Sequence, residues 1–217
     1  MRRDGDRLLG HLAAARSRVL LCAPFIKVGV LRSLLRVIPS QVEVEVVTRW
    51  LPPEVAVGVS DLEVFDLVAA RRGATLKLLD RLHAKIYLSD GNALTGSANL
   101  TGPALGWLPN ANLELLIGLD RADAALEACL WLVREARIAT DTERDRVRDL
   151  ANSLKVPRLD LASDVESATA PCLWLPKLRR RVGDGSVLMV AQAGGSAAPL
   201  PGVRPYPSGE GRLPRLG

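Results

Sequence analysis

The stretch His83-Ala84-Lys85-Ile86-Tyr87-Leu88-Ser89-Asp90, followed by Gly96-Ser97-Ala98-Asn99, places a histidine, a lysine, a serine and an asparagine where two adjacent strands can aim them at one phosphate. In a strand successive side chains alternate faces, so His83 and Lys85 share one face while Ala84 and Ile86 share the other. One face is chemical and the other is packing. A neutral imidazole can attack phosphorus, while an ammonium, a hydroxyl and an amide can hold the non-bridging oxygens as charge develops on them. The spacing describes a phosphoryl site.

These residues resemble the HxKxxxxD motif and trailing GSxN of the phospholipase D superfamily, matched at His83, Lys85, Asp90, Gly96, Ser97 and Asn99. The resemblance extends more weakly over most of residues 8 to 140. Ala23-Pro24-Phe25-Ile26 resembles the strand-to-helix corner these proteins carry early. Asn112 to Glu114, opening the apolar run Leu113 to Leu119, is similar to the segment where the family supplies a Glu that hydrogen-bonds the nucleophilic histidine. The resemblance thus implies a site of His83, Lys85, Asn99, Ser97 and Glu114. A carboxylate on the second imidazole nitrogen would fix the tautomer and stabilise the charged phosphohistidine. Asp90 is five residues from Lys85, on the opposite strand face and at the turn. It is expected to brace the hairpin rather than touch the phosphate, as the resemblance also implies.

Phosphodiester cleavage through a phosphohistidine needs a nucleophile and, across phosphorus, a general acid for the leaving oxygen. One histidine cannot do both at once. The superfamily meets this need with two motif copies facing each other, and this chain has one. Its other histidine, His11, falls with Leu8, Leu12 and Ala15 on a helical pattern and lacks a lysine partner. The expected arrangement is therefore a homodimer in which His83 faces His83, because an isologous interface doubles every group on its axis. No metal or other cofactor is expected: Asp80, Asp90 and Glu114 do not make a ligand set at metal spacing.

A net charge of +5 and a pI near 9.5 point to a polyanionic partner such as nucleic acid or an anionic membrane surface. The compact basic cluster is Lys177, Arg179, Arg180 and Arg181. Cys22, Cys129 and Cys172 are odd in number and widely spaced, which implies neither a disulfide framework nor a zinc site. The N-terminus lacks an uninterrupted apolar core, and no window offers eighteen apolar residues. A cytoplasmic protein without stable membrane insertion is expected. The functional expectation is a metal-independent nuclease cleaving DNA or RNA. The alternatives are a phospholipid phosphodiesterase or phosphatidyl transferase, and a non-catalytic binding or dimerisation module. Family resemblance also allows for a restriction or defence complex in which another subunit directs the domain.

Positioning such a site requires an α/β fold, a mixed sheet flanked by helices with one motif copy per chain. Helices are predicted over Leu8–Ser17, Val28–Val37, from the capping box Ser60-Asp61-Leu62-Glu63 to Gly73, and over Ala122–Ile138. Strands are predicted over Val19–Cys22, Val42–Thr48, Ala74–Leu79, His83–Ser89, Ala93–Ser97 and Asn112–Leu119, with Asp90-Gly91-Asn92 as a hairpin turn. Residues 1–140 form the catalytic domain. A helical, Pro-punctuated appendage follows over 141–181, opening with Asp141–Leu154 and carrying Trp174. The tail 182–217 holds eight glycines and five prolines, too little apolar surface to offset its entropy, and is expected to be disordered.

Overall fold

Val19-Leu20-Leu21-Cys22 is apolar without alternation, the signature of a strand covered on both faces. In the computed structural model, which describes residues 4–155, it forms the centre of the sheet as β1 (Arg18–Cys22). The other strands are β2 (Glu43–Thr48), β3 (Ala74–Leu78), β4 (Ile86–Ser89), β5 (Asn92–Gly96), β6 (Leu116–Leu119) and β7 (Arg137–Ile138). Their order across the sheet is β6-β5-β4-β1-β2-β3-β7. β1, β2 and β3 run parallel; β4 returns antiparallel on β1, and the hairpin β4–β5 and then β6 extend that side. The sheet is mixed and flanked by helices, as expected.

Two hydrophobic layers hold the helices to it. On one face Leu8 and Leu12 of α1 (Asp4–Ala13), Leu31 and Leu34 of α2 (Val28–Val37), and Val64 and Val68 of α4 (Val64–Ala69) pack with Leu21, Val46 and Tyr87. On the other, Leu126 of α5 (Ala124–Leu132) and Val133 pack with Leu20, Leu88 and Ala93. α6 (Asp141–Ser153) buries Val147 in the first layer and lays Arg144 over the Phe65 ring at 4.9 Å, so the main core reaches past residue 140. α3 (Pro52–Ala56) adds a short turn that the sequence did not signal. The tail, Trp174, Cys172 and the Lys177–Arg181 cluster lie outside the described residues.

The first helix spans Asp4–Ala13 where Leu8–Ser17 is expected, and four further boundaries differ from expectation, each for a non-local reason. The strand predicted from His83 begins at Ile86, because β1 ends at Cys22 and the Cys22–Ile86 pair is the last of their ladder. The strand predicted from Asn112 begins at Leu116, where β5 runs out at Gly96. The helix predicted to Ile138 stops at Leu132, and Arg137–Ile138 turns back to pair with the open edge of β3. The capping box at Ser60 does not form: Asp61 instead accepts from Val28 N at 2.7 Å and from the Lys27 ammonium, capping α2 from a distance. α4 consequently starts at Val64.

Candidate active site

The parallel strands β1, β2 and β3 all end on one edge of the sheet, and open α/β sheets collect ligands beyond the carboxyl ends of their strands. Onto that edge the antiparallel strands bring the start of β4, the end of β5 and the approach to β6. His83 and Lys85 immediately precede β4, Ser97 and Asn99 follow β5, and Glu114 precedes β6. Five of the six residues singled out from sequence are therefore assembled at one end of the sheet.

Asp90 is at the other end. It occupies the tight turn between β4 and β5 with φ of 55°, a left-handed conformation that Asp tolerates better than most residues. Its carboxylate accepts from Ser17 N at 2.9 Å, Arg16 N at 3.0 Å, Arg18 N at 3.1 Å and the Ser17 hydroxyl at 2.7 Å. It ties the turn to the entry of β1. The Arg18 amide and the Ser17 hydroxyl, ahead of the other donors, hold its pKa far below the usual carboxylate range.

Residues 82–85 lie outside the ladder, so side chains satisfy their carbonyls. Leu82 O accepts from Arg49 Nη1 at 2.7 Å, His83 O from Lys85 Nζ at 2.9 Å, and Lys85 O from Thr95 Oγ1 at 2.8 Å. His83 is exposed, whereas Lys85 is 8% exposed. Burial lowers the Lys85 pKa; Glu114 opposes that shift, the Arg49 charge adds to it, and Cys22 acts with Glu114.

The loop after β5 is fixed as tightly. Ser97 N donates to Leu115 O at 3.0 Å, and Leu115 N donates back to Ser97 Oγ at 3.0 Å. At Gly96 a Cβ would stand 1.8 Å from Leu115 O, so the strands can approach this closely only because position 96 has no side chain. The fully buried Tyr87 donates its hydroxyl to Ala98 O at 2.6 Å. Leu100 N donates to Phe25 O at 3.2 Å while Lys27 N donates to Leu100 O at 2.9 Å, clamping the loop to the corner beyond β1. Between these fixed points Asn99 carries a buried Oδ1 with no hydrogen-bond partner among the described residues.

Glu114 reaches the site but not the imidazole. Its carboxylate accepts from the Ser97 hydroxyl and from Asn112 Nδ2 at 3.1 Å. The expected bond to His83 is replaced within this chain by one to Ser97, because the interrupted β6 ladder leaves Glu114 beside the serine. His11 stands apart, its Nε2 at 3.0 Å from Tyr87 O and its ring beside Asn92 and Asp120, with burial lowering its pKa. Sequence reasoning missed Arg49, Thr95 and Tyr87. The signal for Arg49, an arginine directly after a buried strand with a glutamate five residues on, is too common to single out.

The sequence matches no protein-family model and no curated protein. Among solved structures the chain is similar to the phosphatidylserine synthase of Haemophilus influenzae Rd KW20, with TM-score 0.51 and 13% identity over 74% of this chain and 42% of that one. It spans less than half the length of that protein. It is also similar to NucT from Helicobacter pylori, with TM-score 0.49 and 16% identity over 62% of this chain and 89% of that one. A third neighbour is Nuc, a phospholipase D family member from Salmonella typhimurium, with TM-score 0.49 and 19% identity over 62% and 90% of the two chains. The likeness is one of fold: a mixed α/β sheet flanked by helices.

Proposed function

We propose that the chain is a phosphodiesterase acting through a phosphohistidine at His83, a metal-independent nuclease that works as a homodimer. The observation that carries this reading is the convergence of His83, Lys85, Ser97, Asn99 and Glu114 at one sheet end from three separate strands. In the proposed reaction an imidazole nitrogen of His83 forms a bond to phosphorus as the bond to the leaving oxygen breaks. The second copy's His83, protonated, gives that oxygen its proton. Water then attacks the phosphohistidine, the phosphorus–nitrogen bond breaks, and the water's proton passes to the second imidazole. Lys85 supplies positive charge for the non-bridging oxygens. The unpartnered Asn99 amide has hydrogen-bonding capacity to spare, and a half-turn presents its NH2 to an anion.

The nucleic-acid substrate is supported by the net charge of +5. A second reading rests on Leu113 and Leu115, which are 97% and 63% exposed on either side of Glu114. Leucines at the rim of a phosphodiester site suit either the face of a second copy or a lipid surface, and the latter would make the chain a phospholipid phosphodiesterase or phosphatidyl transferase. One assay separates these: purified protein with EDTA against plasmid DNA, RNA and phosphatidylcholine vesicles. Cleavage of nucleic acid in EDTA, abolished in folded His83→Ala and reduced on the order of a hundredfold or more in Lys85→Ala, is the expected result. Activity that vanishes on chelation and returns with a divalent ion, or that persists in His83→Ala, would overturn the mechanism.

A further inference from the structure

The segment that carries His83 and Lys85 is held in place by something other than the sheet. Of the three side chains that occupy its carbonyls, Lys85 and Thr95 belong to the motif hairpin itself, and Arg49 comes from the end of β2. All three nitrogens of the Arg49 guanidinium donate a hydrogen bond. Nη1 donates to Leu82 O, the residue before His83; Nε donates to Glu54 Oε2 at 3.0 Å while Nη2 pairs with the other carboxylate oxygen. The plane lies over the Phe25 ring, 5.3 Å from its centroid. Phe25 in turn accepts from Leu100 N through its carbonyl, next to Asn99. One rigid planar group thus joins the histidine segment, the corner beyond β1 and the asparagine loop.

We propose that Arg49 is a positioning residue of this site, which locks the His83–Lys85 segment to the corner that holds the Asn99 loop. The inference rests on the phosphoryl-transfer reading above. Arg49 acts through other residues: its three hydrogen bonds go to Leu82 and Glu54. A fork is required: Lys at this position keeps the charge but presents a single ammonium, which cannot hold Leu82 O and both Glu54 oxygens in one plane.

The split between kcat and KM tests the positioning role, and the Lys85 titration accompanies it. The groups that act on Lys85 are Glu114 from the approach to β6, Arg49 from the end of β2 and Cys22 from β1. Removing the Arg49 charge therefore frees Lys85 to titrate at higher pH, and keeping the charge does not. The measurement is kcat and KM against pH for the full chain with bis(p-nitrophenyl) phosphate, together with a 13C NMR titration of Lys85. Arg49→Gln is expected to lower kcat on the order of a hundredfold with KM little changed, since displacing reacting groups by about 1 Å costs that much. The Lys85 titration moves to higher pH in this variant. Arg49→Lys is expected to lower kcat about tenfold with the Lys85 titration unmoved. Wild-type kcat in folded Arg49→Gln, or a loss carried by KM rather than kcat, would overturn the proposal. If Arg49→Gln does not fold, Arg49→Lys decides alone: reduced kcat with KM little changed supports the role, and wild-type kcat refutes it. Failure of the phosphodiesterase reading looks different, because wild type and His83→Ala would then be equally inactive while the Lys85 titration still moved in Arg49→Gln.

Discussion

A lysine that is nearly buried yet must be charged sets a conflict between stability and chemistry at one residue. Lys85 is 8% exposed, and burial lowers its pKa despite Glu114 nearby. The sign follows directly. The unfolded chain binds this proton more tightly than the folded one, so between the lowered folded pKa and the ordinary lysine value stability rises with pH, and below that window the folded protein carries the full burden of a desolvated charge. Lys85→Met keeps the length and removes the charge. It is expected to raise Tm by a few degrees at neutral pH while abolishing activity, with the gain in Tm shrinking as pH rises through the window. Differential scanning calorimetry at pH 7 and pH 10.5 checks this, and a lower Tm at pH 7 would mean that the bond to His83 O contributes more than burial costs. His83 is exposed and bears no side-chain bond to another described residue that would have to break before it reacts.

At the scale of elements, the hairpin β4–β5 does two jobs at its two ends, and its substitutions should separate accordingly. Asp90 collects four donors from residues 16–18, so Asp90→Asn is expected to lower Tm at neutral pH and leave kcat unaltered. Because the Asp90 pKa is depressed, its contribution is present above the ordinary aspartate value and is lost as pH falls below it; the Tm difference between variant and wild type should close in acid. At the opposite end Gly96→Ala drives a Cβ into the Leu115 carbonyl, and backbone cannot yield as a side-chain tip would. That variant should lose on the order of 2 kcal/mol or more, measured by urea unfolding, and displace Ser97 and Glu114 as it does so. The hairpin itself was legible from alternation and an Asp-Gly turn, and so were α2, β1, β2 and β3, whose patterns are local. What escaped depended on partners distant in sequence. Whether residues 83–85 join a ladder is decided by where β1 stops, the end of α5 by an unpaired edge on β3, and the role of Arg49 by Leu82, Glu54 and Phe25 arriving from three segments.

At the scale of the molecule, one motif per chain has to be reconciled with a reaction that needs two proton-handling groups across phosphorus. His11 does not supply the second, being engaged with Tyr87 O on the hairpin's far side, and the other residues gathered at the site are Lys85, Ser97, Asn99 and Glu114. The proposed dimer answers this with a second His83, and the apolar rim formed by Leu113, Leu115 and Ile117 offers it a surface beside the site. The backbone edge of β6 is guarded at the same time: Arg7 donates to Leu116 O, which discourages open-ended strand addition while leaving the apolar face free. Stoichiometry gives the sharpest check. If His83→Ala and wild-type chains exchange freely, heterodimers hold one nucleophile with no opposing acid, and activity falls as the square of the wild-type fraction. Complete sites in single chains would give a linear fall. Leu113→Asp with Leu115→Asp should weaken the dimer in sedimentation and remove activity in proportion to the dimer lost, with activity returning as protein concentration rises above the new dissociation constant. A monomeric double variant that retains wild-type specific activity at every concentration would show that one chain carries all the groups the reaction needs.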